Sequence, residues 1–201
     1  MKPYLSWILV LALVAVATAV PASAQAEPPK AASAPLASGF RAEFLYQLAD
    51  AEQKLVSLAE AIPPEKYTWR PTEGVRSVSE TLLHVARANF TFPTFLGIQP
   101  PAGIDRQGLE KSTTEKSKVV EVLKQSFEHA RQAGLKTPDA DLDKPVKMFG
   151  RDVTVRAVLF TLALHQHEHL GQCIAYARSN GVVPPWTAAR QAQQQQHRPP
   201  Q

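Results

Sequence analysis

The sequence predicts an all-α domain, a four-helix bundle with a long crossover between its second and third helices. Three observations carry this expectation. Four stretches between residues 40 and 180 repeat apolar residues at spacings of three, four and seven, the mark of helices with one apolar face. Each runs for about 19 to 26 residues, long enough to line a common core. The connection from Ile98 to Lys111 is too long for a tight hairpin and suits a crossover.

The chain opens on a targeting pattern. Lys2 supplies a positive start, Trp7 to Ala19 is almost wholly apolar, and Val20-Pro21-Ala22-Ser23-Ala24 ends in small residues. That order reads as a secretory signal peptide over residues 1–24, cleaved after Ala24 or Ala26. An uncleaved anchor is the alternative, but the apolar run falls short of the roughly 20 residues that a spanning helix needs. No stable membrane anchor is therefore expected, and the mature protein is expected in the periplasm or secreted. Residues 25–37, rich in Pro, Ala and Ser, read as a flexible leader.

The bundle is expected over residues 38–181. Its first helix runs from about Phe40 to Ile62, with Phe44, Leu48, Leu55, Leu58 and Ile62 on one face, and Pro63-Pro64 stops it. The second runs from about Val78 to Leu96, opened by the capping box of Ser77 and Glu80 and closed by Gly97. The third runs from about Thr113 to Ala133, with Ser112 and Glu115 as its capping box and Gly134 as its stop. A turn at Phe149-Gly150-Arg151-Asp152 follows, with a short extended piece at Val146 to Phe149. The fourth helix runs from about Val155 to Asn180, with Thr154 as N-cap and Gly181 just beyond its end. Residues 182–201, rich in Pro and Gln, read as a disordered tail.

Composition narrows the function. Losing Lys2 with the signal peptide lowers the formal net charge from +4 to +3. Those charges are interspersed without a basic run, which argues against nucleic-acid binding. A lone cysteine, Cys173, excludes an internal disulfide framework.

The chemistry concentrates in His165-Gln166-His167-Glu168-His169 of the fourth helix. His165 and His169 stand four apart, on one face and on the core stripe. Two buried imidazoles satisfy each other poorly, and a shared metal ion resolves the conflict. The alternative is a pair of core histidines bonded to carboxylates. His167 points roughly 160° away from His165. His129 and His197 read as solvated. By spacing alone His84 lies off the centre of its helix's apolar face.

Three features together resemble the DinB-like superfamily of metal-binding four-helix bundles. They are Tyr67-Thr68-Trp69-Arg70-Pro71 leading to Gly74-Val75-Arg76-Ser77-Val78, then Leu82-Leu83-His84, then His165-x-x-x-His169-x-Gly171-Gln172. The resemblance implies an up-down-down-up topology and a divalent metal on His84, His165 and His169. Three neutral histidines leave coordination positions open, the catalytic pattern. Imidazole suits several metals, of which zinc ranks first, with nickel or iron behind it. Glu168, beside His169 and three residues from His165, is the candidate catalytic proton acceptor, and Gln172 a candidate partner for a ligand. Trp69, Arg70 and Arg76 read as loop braces, and Cys173 as a small buried thiol. The expected function is a metal-dependent hydrolase or thiol transferase acting on a small-molecule substrate. The alternative is a non-catalytic metal-binding or stress-associated protein. A homodimer is compatible with either.

Overall fold

In the computed structural model, which describes residues 39–197, two of the four long helices begin on the side-chain caps that the sequence predicts. The expected signal peptide and leader lie outside the described residues. Helix α1 (Phe40–Ala61) buries Phe44, Leu48, Leu55 and Leu58 at the predicted spacing, and Pro63 and Pro64 lead the chain away. Helix α2 (Val78–Thr91) starts on the expected capping box. The Ser77 hydroxyl accepts from the Glu80 N–H, and the Glu80 carboxylate accepts from the Ser77 N–H at 2.8 Å. Pro93 has no N–H to continue the α-helical ladder, so the predicted stretch to Leu96 finishes as 3₁₀ turns over Phe92–Leu96. Gly97, at φ 79°, closes it.

The third helix departs from expectation. Helix α3 spans Lys116–Lys136, and no side chain caps its start. The Ser112 hydroxyl instead donates to the Leu109 carbonyl, finishing a 3₁₀ turn over Leu109–Lys111. Gly134 does not stop the helix. It lies inside it, where a Cβ would come within 2.6 Å of the Phe44 ring and 3.1 Å of Leu45. The glycine is needed for close approach of α3 to α1. Gly134→Val should therefore destabilise the fold by about 1–3 kcal/mol through overpacking. Thermal unfolding followed by circular dichroism checks this, and an unchanged midpoint would contradict it.

A small antiparallel hairpin, β1 (Pro145–Met148) and β2 (Arg151–Thr154), precedes the fourth helix. Its paired Val146 and Val153 pack against the core. Thr154 then caps helix α4 (Val155–Ser179) by accepting from the Ala157 N–H. The expected disordered tail is corrected over part of its length, because Pro185–Gln196 form helix α5. Pro185 presets the first turn, Ala, Arg and Gln favour the helix, and Trp186 packs against the core.

Helix α1 packs on α3 and α4, and α2 packs on the same two, so α1 and α2 are not adjacent. Lys116 at the start of α3 donates to the carbonyls of Glu60 and Ile62 at the end of α1, so these helices run in opposite senses. The α2–α4 pair is also antiparallel, since the Tyr176 hydroxyl reaches the Arg76 carbonyl while His84 faces His165 and His169. That pairing builds the site. Among the described residues no helix is long and apolar enough to cross a membrane.

Candidate metal centre

Antiparallel packing sets His84 of α2 opposite two successive turns of α4. The three rings converge, with centroids 4.9 Å apart for His84 and His165, 4.6 Å for His84 and His169, and 4.4 Å for His165 and His169. One ring nitrogen from each lies within 4.8 Å of the others. The Nε2 atoms of His84 and His165 are 3.1 Å apart.

The far sides of two rings are pinned. His84 Nδ1 bonds Glu110 Oε1 at 2.7 Å, and His169 Nδ1 bonds Gln172 Oε1 at 2.8 Å. Both oxygens only accept, so each Nδ1 carries a proton and each Nε2 keeps a free lone pair. Such lone pairs cannot bond one another, and His165 has one proton to offer. Its Nδ1 is buried and unpartnered. A cation shared by the three rings would resolve the facing lone pairs, and zinc bonds of ~2.0–2.1 Å in a tetrahedral site would set ligand nitrogens roughly 3.3 Å apart. The residues fit a divalent ion.

Burial favours the neutral, ligating form of His165 and His84. Burial lowers the pKa of His165 to about 3, helped by the neighbouring His169 and His84. Burial also lowers His84, against the pull of Glu110. For Glu110, burial acts upward but is outweighed by hydrogen bonds from His84, Arg76 and Arg87, which hold it at about 2. The Arg76 Nε donates to Oε2 at 2.8 Å, and an Arg87 guanidinium N–H donates to Oε1 at 2.7 Å. Gln172 in turn donates to the Tyr176 hydroxyl at 2.8 Å, which donates to the Arg76 carbonyl at 3.1 Å. Through the side chain and the carbonyl of Arg76, hydrogen bonds thus link the Glu110 side of the cluster to the Gln172 side.

The other expected residues fall as follows. Glu168 is exposed and makes no hydrogen bond to the cluster, so the carboxylate beside the ligands is Glu110. No spacing in the sequence marks Glu110, which sits in the crossover. Trp69 packs edge-on against Tyr176 at 5.3 Å, and Arg70 donates to the Val75 carbonyl and pairs with Glu80, so both brace the loop. Arg76 does more than brace, through its bond to Glu110. Cys173 is buried, which pushes its thiol up to about 12 and keeps it protonated. His129 is not solvated as expected. It is half-buried against Phe90, with Nε2 enclosed and unpaired, and burial lowers its pKa. His167 is turned from the cluster and lines a cavity of about 370 Å³ with Phe44, Phe160 and Leu164. His197 ends α5, exposed.

Comparison with known proteins identifies the family and the fold. Residues 47–173 match the sequence model of the DinB superfamily. The Bacillus subtilis (strain 168) protein YjoA is 29% identical over 136 residues, covering 62% of this chain and 80% of that protein. The crystal structure of a DinB-like protein from Bacillus cereus ATCC 10987 superposes with a TM-score of 0.62 at 18% identity, covering 71% of this chain and 93% of that one. The YjoA crystal structure gives 0.57 at 22% identity, with 70% and 93% covered. A conserved protein from Enterococcus faecalis gives 0.59 at 15% identity, with 71% and 97% covered. At these identities the structures show the shared fold.

Proposed function

The chain belongs to the DinB superfamily, and from that premise we propose that it is an exported metal-dependent enzyme acting on a small molecule. The observation that carries the reading is the convergence of three histidine nitrogens, two of them on rings whose tautomers are fixed by outer partners, His84 by Glu110 and His169 by Gln172. Ligands oriented by such partners are the usual construction of a metal site. Zinc is the proposed ion, with nickel or iron as alternatives. With three protein ligands, such an ion acts as a Lewis acid and lowers the pKa of a coordinated water or thiol.

The chain's own residues then have distinct tasks. His84, His165 and His169 would hold the ion. Glu110 is a positioning residue, because its two oxygens already accept from His84, Arg76 and Arg87. At about 2 it stays ionised and does not shuttle protons at neutral pH. Hydrolysis and thiol transfer both suit an open site. Thiol transfer makes less demand on a free base, whereas export favours hydrolysis, since small thiols are scarcer in oxidising compartments. The full engagement of Glu110 is what speaks for the alternative, a non-catalytic metal-binding or stress-associated protein. Lys2, the apolar run to Ala19 and Ala22-Ser23-Ala24 support export.

Cobalt loading tests the open position. The visible spectrum of the cobalt protein should shift on adding azide, which needs a free position on the ion. A spectrum indifferent to azide at saturating concentration would favour the non-catalytic reading.

A further inference from the structure

Phe149 is in the wrong place for a phenylalanine. With Gly150 it forms the two-residue turn between β1 and β2, and their φ angles are 49° and 80°. Positive φ at both positions makes a turn of the type that Asn-Gly or Asp-Gly fits best. For a bulky L-residue the left-handed region is an outlier, and no other non-glycine among the described residues occupies it. Burial does not compensate, because the side chain is 68% exposed. An unfavourable backbone and a poorly buried ring point together to a task other than stability.

The ring's neighbours indicate that task. It lies edge-on to Phe95 at 4.8 Å and to Phe92 at 5.9 Å, and those two are 6.1 Å from each other. Phe92 is buried, and its ring is 6.0 Å from that of His165. The three phenyl rings therefore descend from solvent to the histidine cluster. Val146 and Val153 pack the hairpin against the core and hold Phe149 at the outer end of this ladder. One exposed ring is far too small for a protein interface, which should clear roughly 1,000 Å². One ring is of the size to cover an apolar group of a small molecule.

We infer that Phe149 and Phe95, backed by the buried Phe92, form an aromatic wall that receives the apolar or aromatic end of a substrate whose polar end lies at the histidine cluster. The inference rests on the metal-binding reading above. Aromatic rings pair favourably at the centroid separations seen here, which is the preference such a wall would extend to a ligand.

Two metal-directed probes test it on the zinc-loaded protein, acetohydroxamate and benzohydroxamate, which share a chelating group and differ in methyl against phenyl. Isothermal titration should find the phenyl probe bound about tenfold more tightly. In Phe149→Asn that preference should fall to near unity, with acetohydroxamate binding unchanged and the thermal midpoint equal or higher, since asparagine suits the turn. Phe149→Tyr should keep the preference. Equal affinities in the unaltered protein, or a preference retained in Phe149→Asn, would overturn the inference while leaving the metal site standing. A lowered midpoint in Phe149→Asn would also overturn it, by assigning the ring to packing. Failure of both probes to bind would overturn the metal reading itself, and the wall with it.

Discussion

Replacing His84 and His169 together by alanine should abolish stoichiometric metal binding, while His167→Ala should leave it intact. The double variant leaves a lone imidazole, His165, where three nitrogens now lie within 4.8 Å of one another. His167 lines a cavity on another face of α4. A graded effect is expected one step further out. Glu110→Gln keeps an acceptor for His84 but removes the charge that Arg76 and Arg87 share, and should weaken metal binding by about 10- to 100-fold. Competition against a chromophoric chelator measures both. Full metal content in the double variant would refute the assignment. The fold should survive, because the buried leucines, valines and phenylalanines of four helices form a core that does not depend on the ion.

The second large effect is on stability. Asn89→Ala should destabilise the bundle by about 2–4 kcal/mol, because it strands two buried partners and leaves a void. Asn89, Ser126 and Gln166 are fully buried, and they tie α2, α3 and α4 together beside the cluster. The Gln166 amide donates to Asn89 Oδ1 at 2.8 Å, and the Asn89 amide donates to Ser126 Oγ at 3.1 Å. The Ser126 hydroxyl passes its own proton to the Leu123 carbonyl at 2.7 Å. With Asn89 gone, the Gln166 amide has no replacement acceptor. Urea unfolding at fixed metal loading reads the effect, and an unchanged midpoint would show that water takes Asn89's place. Combining Asn89→Leu with Gln166→Leu and Ser126→Ala should recover much of the loss, because removing all partners together leaves little unsatisfied.

What could be read in advance was local. The Ser77 and Glu80 capping box and the cap at Thr154 lie within three residues of their partners, and both formed as read. The same pattern at Ser112 and Glu115 failed because Ser112 closes the turn before it, a competition that spacing does not record. His165 and His169 were legible because four residues make one helical turn. His84 was not, since its partner lies 81 residues away and α2–α4 packing decides which face turns inward. The resemblance to the superfamily placed it instead. Glu110 escaped both routes, standing in a crossover whose path comes from tertiary packing alone. Residues 185–196 misled for another reason. A run of glutamines resembles a disordered tail in composition, yet Gln, Ala and Arg are good helix formers once a proline starts the turn and Trp186 anchors it.

The central claim is that His84, His165 and His169 together hold one divalent ion. Elemental analysis of the protein, purified without chelator and dialysed after stoichiometric zinc, tests it most directly. The arrangement predicts about one metal per chain, retained through dialysis and lost from the His84→Ala/His169→Ala variant. A folded, helical protein that retains essentially no metal under those conditions would contradict it.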